Sequence, residues 1–211
     1  MNIALVYDTE TTGLPLFSEP SEDPRQPHIA QLAACLVDLD TRKTISSMDV
    51  IVRPNGWTIP DDVAAIHGIT TEHAMDVGIP EDVAIDMFLS LWDQRRMRIA
   101  HNESFDARIL RIAIKRYIDV CQAESAPPMS DVWKAGSAKC TQVLSTPILK
   151  LPPTAKMKAA GRNHFKSANL GEAYQHFTGK PLEDAHSAMA DVLGCLTVYF
   201  SVQDHLAKAA I

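Results

Sequence analysis

The sequence of 211 residues contains no Cys-x-x-Cys pair. Its four cysteines, Cys35, Cys121, Cys140 and Cys195, are widely scattered. That argues against a zinc site built on such pairs and against a dithiol redox motif. Cys35 and Cys195 fall in apolar runs and read as small core residues, so free thiols are expected. No apolar run approaches the roughly 20 residues needed to cross a bilayer, and no membrane association is expected. The N-terminus lacks the charged start and apolar core of a secretory signal, which makes the cytoplasm the expected location. Internal repeats, low-complexity tails and interdomain linkers are also missing, and the length suits one domain over 1–211. Finally, acids are missing from Val132 to Gly171. That window holds Lys134, Lys139, Lys150, Lys156, Lys158, Arg162 and Lys166, a charge of +7 in a chain whose net charge is −6. The net charge argues against a protein that coats nucleic acid by bulk attraction. The segregation points to a basic surface facing a polyanion beside an acidic site, or to a solvated loop; composition alone leaves both open.

What is present begins at the first strand. Ile3 to Tyr7 is apolar and too short for a buried helix, so it reads as a central strand covered on both faces. Asp8 and Glu10 follow, then Gly13. Side chains alternate along a strand, so both carboxylates project from one face if the strand continues through Glu10, roughly 7 Å apart. Two such charges repel unless a cation lies between them, and hard oxygen ligands suit Mg²⁺ or Mn²⁺. Gly13 lets the backbone turn sharply or approach a ligand. The plainer reading is a strand end with Asp8 and Thr11 satisfying turn amides.

Four prolines between Leu14 and His28 mark a loop placed over the strand end. Ile29–Asp38 and Thr44–Arg53 read as strands two and three, an antiparallel meander because the links are too short for helical crossovers. Short helices are expected over Asp61–Ile66, ended at Gly68, and over Thr70–Met75. A longer one is expected from Pro80 to about Gln94, with Val83, Met87 and Leu91 as its buried face. Arg98–His101 reads as a brief strand, and Asn102 as cap of a helix from Glu103 to about Ile118 with Phe105, Ile109, Ile112 and Ala113 inward. Lys139–Val143 is a weak strand candidate, and Leu144–Lys166, with three prolines, reads as irregular. Asn169–Phe177 reads as a helix stopped at Gly179. The last helix is expected from Asp184 or Ala185 to Leu206, burying Ala188, Val192, Cys195, Leu196 and Tyr199.

Three acidic stretches then stand at element ends that could converge: Asp8 with Glu10, Asp106 on the first turn of its helix, and Asp191 on the last helix. His186 lies five residues before Asp191. Four carboxylates can hold two divalent cations about 4 Å apart, an arrangement that clamps attacking and leaving oxygens in phosphoryl hydrolysis. A histidine, with an ordinary pKa of about 6.5, suits the base that takes a proton from water. Taken singly, each has a plainer role. Asp106 reads as a helix-start acid, Asp191 as a lysine's partner and His186 as a cap. His101 reads as a core histidine bonded to backbone, His67 as structural, and Asn102 equally as cap or substrate contact.

Asp8-Thr9-Glu10-Thr11-Thr12-Gly13, His101-Asn102-x-x-Phe105-Asp106 and His186-x-x-x-x-Asp191 together resemble the three exonuclease motifs of the DEDD superfamily. The His-x4-Asp spacing matches its DEDDh branch, which includes the proofreading epsilon subunit of bacterial replicative polymerase, ribonuclease T-like enzymes and mammalian three-prime repair exonucleases. His67-Gly68-Ile69-Thr70 and Leu170-Gly171-x-x-Tyr174 also resemble segments of epsilon-like members. The resemblance covers essentially the whole chain. It implies an RNase H-like α/β fold with a mixed five-stranded sheet flanked by helices. It implies a 3′→5′ exonuclease dependent on two divalent ions, Mg²⁺ or Mn²⁺, that releases 5′-mononucleotides from the 3′ end of DNA, with single strands preferred. Asp8, Glu10 and Asp191 would bind one ion, Asp8 would bridge to the second, and Asp106 would hold that second ion. His186 would be the base. The backbone near Thr11 and Thr12 would receive the 3′-hydroxyl, and Leu14 would pack on the last base.

The expected partner is nucleic acid with a free 3′ end, DNA before RNA, with a polymerase or a second copy of the chain as a possible protein partner. Lys156, Lys158 and Arg162 are expected on phosphates. The Leu14–Pro27 loop and the Lys150–Lys166 segment are longer than the common pattern and would border the site, which bears on strand specificity. The competing readings are an exoribonuclease of the same branch and a polymerase-associated nucleic-acid-binding module. Nothing like a clamp-binding tail follows Leu206, which weighs against the second.

Overall fold

The apolar run expected to be covered on both faces forms the central strand, β1 (Ile3–Thr11), of a five-stranded sheet. The computed structural model describes residues 2–93, 96–123 and 125–209. β2 (Ile29–Asp38) and β3 (Lys43–Ile51) complete the antiparallel meander that the short links require. Next come α1 (Asp61–His67), α2 (Thr71–Val77) and α3 (Glu81–Trp92), then β4 (Met97–Ala100) and α4 (Glu103–Tyr117). A 3-10 turn over Asp119–Cys121 leads to α5 (Met129–Ala135), β5 (Ala138–Cys140), α6 (Thr141–Leu149), α7 (Ala155–Ala159), α8 (Leu170–Thr178) and α9 (Ala188–Ala209). The sheet order is β3-β2-β1-β4-β5, with β4 and β5 added parallel to β1. This is the mixed five-stranded α/β architecture expected from the sequence.

Alternation along β1 sends Leu5 and Tyr7 to one core and Ala4 and Val6 to another. On the first side Tyr7 meets Phe88 and Trp133 edge-on at 5.5 and 5.7 Å between ring centroids, and Trp92 meets Trp133 at 4.9 Å. Such pairs add about 0.5–1.5 kcal/mol each beyond the area they bury. On the second side α9 buries Ala188, Val192, Cys195, Leu196 and Tyr199, the stripe read from the sequence. Gly68 ends α1 at φ 76°, and Gly179 ends α8 at φ 73°, both in the left-handed region where a glycine closes a helix. Among the described residues no helix is long and apolar enough to cross a membrane.

Several elements differ from expectation. α3 buries Ala84, Ile85, Phe88 and Trp92, whereas Val83 and Met87 are 43% and 42% exposed. The helix is apolar on most sides, so its spacing fits two faces, and the larger rings of Phe88 and Trp92 take the core. Its expected end at Gln94 lies outside the described residues. The weak strand at Lys139–Val143 is real only through Cys140, and α6 then runs through Pro147, where irregular chain was expected. A proline deletes one helical N–H but does not remove apolar packing. Leu144, Ile148 and Leu149 pack against the cluster of Ala168, Ala173, Val198 and Val202, and that burial keeps the helix. α9 begins at Ala188 and not at Asp184 or Ala185. Asp184 and His186 adopt φ of 51° and 72°, which no continuous right-handed helix accommodates.

Candidate active site

β1 stays regular through Glu10, pairing Asp8 with Ala33 and Glu10 with Gln31, and its register shifts only between Glu10 and Thr11. Asp8 and Glu10 therefore share a face, the one that carries Ala4 and Val6. β4 runs parallel to β1, so the start of α4 arrives at the same edge of the sheet. Asp106, buried on the first turn of α4, accepts hydrogen bonds from the Thr9 backbone N–H (3.1 Å) and the Thr9 hydroxyl (2.7 Å) through Oδ1. Thr9 thus ties α4 to the strand from the face opposite Asp8. One turn earlier, Glu103 Oε1 accepts from the Tyr7 hydroxyl (3.0 Å) and pairs with Arg98 Nη2 (3.1 Å). The buried Arg98 guanidinium lies 3.9 Å from the Trp133 ring centroid. The acidic end of β1 and the first turn of α4 are locked together by this layer.

α9 brings the third acid from the other side. Ala188 N–H donates to Gln31 Oε1 (3.1 Å), and Asp191 N–H to Ser187 O (3.0 Å). Ligand atoms of Glu10, His186 and Asp191 all lie within 4.8 Å of one another. His186 is exposed and sits on the left-handed turn ahead of α9, not on the helix.

Burial, then the charges of Asp106, Asp191 and Glu10, hold the Asp8 carboxyl well above its ordinary range. Burial, then Asp191 and Asp106, push Glu10 up to about 8. Burial raises Asp106 to about 7 against the downward pull of the Thr9 hydrogen bonds. Burial also raises Asp191, opposed by the charge and backbone of His186. Asp191 Oδ1 is buried with no hydrogen-bond partner among the described residues. Mutual repulsion, an orphaned carboxylate oxygen and a donor set of hard oxygens fit a divalent cation, with the His186 imidazole beside them.

The remaining residues divide. Thr11 is buried and its hydroxyl donates to Gly13 O (2.8 Å). Thr12 exchanges two bonds with His28, its N–H to His28 O and its Oγ1 accepting from His28 N–H, both 2.9 Å. Leu14 is 75% exposed at the mouth of a cleft of about 340 Å³ that Thr12, Pro27, His28 and Trp57 also line. Asn102 holds the position before α4, as expected of a cap, but its side chain makes no capping bond; its φ of 61° aims it elsewhere and it is exposed. Lys156 and Lys158 on α7, and Arg162 after it, are exposed and lie on a segment that carries none of the site's carboxylates.

His101 is a buried histidine bonded to backbone, as expected: Nε2–H donates to Ala168 O (3.0 Å). His67, expected to be structural before catalytic, faces two ways. Its Nδ1 accepts from Ile69 N–H (3.1 Å), while its other edge turns toward the Thr11 backbone and the neighbouring His186. Thr9, Arg98 and Glu103 went unread. Thr9 had a signal: it lies between the two acids and so must face the opposite core.

The profile of the family described as RNase_T, exonuclease, matches residues 5–199. Among solved structures, the exonuclease I structure described as suggesting how processivity is achieved superposes with a TM-score of 0.70 at 20% identity, covering 97% of this chain and 41% of that one. E. coli exonuclease I in complex with a dT13 oligonucleotide gives 0.71 at 19% identity, over 99% and 43% of the two chains. The zinc-bound form of the E. coli exonuclease I–ssDNA complex gives 0.69 at 19%, over 97% and 41%. Identities this low speak for the fold alone. The chain spans about two fifths of the length of these proteins, and none of the three is a polymerase proofreading subunit. No curated protein sequence matches the chain.

Proposed function

The chain belongs to the RNase_T exonuclease family, and from that premise we propose that it removes nucleotides one at a time from the 3′ end of DNA, favouring single strands and releasing 5′-mononucleotides. The observation that carries the reading is the meeting of acids from three distant stretches at one end of β1, with His186 within reach of Glu10 and Asp191. Structures of exonuclease I with dT13 and with single-stranded DNA support the choice of substrate.

Asp8, Glu10 and Asp191 would hold one divalent cation, Mg²⁺ or Mn²⁺, and Asp8 with Asp106 a second, the pair supplying charge to polarise the scissile phosphate and to acidify water. The protein's own groups do the rest. His186 takes a proton from the attacking water as its oxygen bonds to phosphorus. The P–O3′ bond breaks; its oxygen takes up a proton and becomes the new 3′-hydroxyl of the shortened strand. The phosphate departs as the 5′-phosphate of the released nucleotide. Exposure of the His186 ring lets it return its proton to solvent. The backbone around Thr11 and Thr12 receives the 3′-hydroxyl, and exposed Leu14 offers an apolar surface to the last base. Asn102, exposed at its helix start and making no capping bond, is placed to touch substrate. Lys156, Lys158 and Arg162 take phosphates further up the strand, and their neutralisation should flatten the salt dependence of binding.

A 5′-labelled single strand with Mg²⁺ should yield a ladder that shortens from the 3′ end, and matched RNA should shorten more slowly. A folded protein that leaves the strand at full length would overturn the reading. Faster loss of RNA would replace the substrate and keep the reaction.

A further inference from the structure

Phe165 is 47% exposed and Val143 67% exposed. With Thr146, Pro147, His164 and Ser167 they line an apolar groove of about 320 Å³. Two observations say what the groove faces. The first is its attachment. Ala168 O, next to Ser167, accepts from His101 Nε2–H (3.0 Å) and from Gln142 Nε2–H (3.1 Å), and Thr141 Oγ1 bonds His101 Nδ1 (2.9 Å). Both walls of the groove, the start of α6 and the 164–167 segment, are therefore pinned to the histidine that immediately precedes Asn102 and α4. The second is charge. The groove lies wholly within the acid-free window. Lys150 caps α6 at one end, Arg162 stands two residues before His164, and Lys166 N–H donates to Leu151 O (3.0 Å), closing the base of the loop that carries α7 with Lys156 and Lys158.

We propose that this groove is a stacking site for an unpaired base of the substrate strand, upstream of the terminal nucleotide. The proposal rests on the exonuclease reading and deepens it. An apolar peptide would use the groove and ignore the cations, whereas an unpaired strand uses both at once: aromatic and apolar faces for a base, lysine and arginine for its phosphates. A base in a duplex has both faces covered by its neighbours and cannot enter. The groove therefore selects single-stranded ends.

The test is equilibrium binding of 5′-labelled oligo-dT, from three to fifteen nucleotides, in chelator, alongside hydrolysis of a thymidine 5′-monophosphate nitrophenyl ester with Mg²⁺. Phe165→Ala should weaken binding of the longer strands about tenfold and leave the ester rate unchanged. Phe165→Trp should restore the affinity, and the salt slope should stay that of the unaltered protein, because stacking releases no counterions. On the unaltered protein, a strand carrying 5-iodouracil should crosslink to Phe165 or His164 on irradiation. Affinity unchanged by Phe165→Ala at every length, equal losses on ester and long strands, or crosslinks that avoid the groove at every iodouracil position would each overturn the proposal. An unaltered protein that shortens DNA but gives those results loses only the groove; one that neither binds nor shortens any strand loses the exonuclease reading as well.

Discussion

The two halves of the acidic site are held in opposite ways. Asp8, Glu10 and Asp106 belong to a central strand and to a helix bonded to it, with Thr9 clamping Asp106 from behind and the Tyr7–Glu103–Arg98 layer beneath. His186 rides on an exposed turn with two non-glycine residues in the left-handed region, tethered by the Ala188–Gln31 bond at one end and by Leu182 packed on Gly194 at the other. The difference matches the two tasks proposed for them. Ligands for a hard cation must be in place before it binds, because repelling carboxylates cannot gather unaided. A group that takes a proton and returns it to solvent needs access more than rigidity. The rigid half should therefore govern whether chemistry occurs, and the turn should govern how fast.

The largest effect should come from breaking the rigid half. Asp8→Ala should lower the exonuclease rate at least about a thousandfold, since it removes several kcal/mol of charge stabilisation. It should not lower the thermal midpoint of the metal-free protein, because it relieves repulsion on Asp106, Asp191 and Glu10. A variant that loses activity by unfolding would assign Asp8 a structural role and dissolve the contrast. His186→Ala should come next, with a loss of roughly a hundred- to ten-thousandfold at unchanged midpoint. Activity within threefold of the unaltered protein would show that another group takes the proton, and His67, beside it, is the first to test.

The same division explains what the sequence revealed. The rigid half was legible because period-two alternation puts Asp8 and Glu10 on one face with no knowledge of the rest of the fold. The stripe along α9 was legible for the equivalent reason at period 3.6. The turn was not. Asp184 and His186 lie in the left-handed region through tertiary tethers that no local preference announces, so the helix was expected to start too early. Phe88 and Trp92 displaced Val83 and Met87 from the core because α3 is apolar on several sides and ring size decides between them. The layer under Asp106 was equally unreadable. Arg98 and Glu103 look like surface charges until they pair with each other and Trp133, 35 positions beyond Arg98, covers the guanidinium.

A smaller effect sharpens the comparison through pH. Glu10 and Asp106 sit at about 8 and about 7, above their ordinary carboxylate values near 4. The folded state binds these protons more tightly than the unfolded chain, so their contribution to stability is complete below about pH 4 and fades as the pH rises through 7 to 8. The midpoint of the metal-free protein should fall by roughly 8–16 °C between pH 6 and pH 9, and Mg²⁺ at pH 9 should restore it by mass action. In Asp8→Ala the fall should be shallower. A midpoint that stays level or climbs over that range, in chelator, would mean that neither burial nor mutual repulsion holds these protons on the folded state.

The smallest effect probes the tether of the turn. Gly194 is buried within α9, and a methyl group built on it would lie 3.0 Å from Leu182 Cδ1 and 3.3 Å from Cδ2. Both contacts are closer than such atoms normally approach, so Leu182 must yield by a few tenths of an ångström, and it lies four residues before His186. Alanine also suits a helix interior better than glycine, by about 0.5–1 kcal/mol. The two consequences have opposite signs on different readouts. Gly194→Ala should leave the thermal midpoint level or slightly raised while lowering the exonuclease rate a fewfold, and Leu182→Val in the same chain should recover part of the rate by vacating the space. Asp191, on the same helix but facing the sheet, should not move, so affinity for the divalent ion should hold. If the rate is unchanged, the turn is not steered through Leu182. If metal affinity falls along with the rate, the two halves of the site share one support, and the contrast between a fixed cage and an adjustable base is wrong.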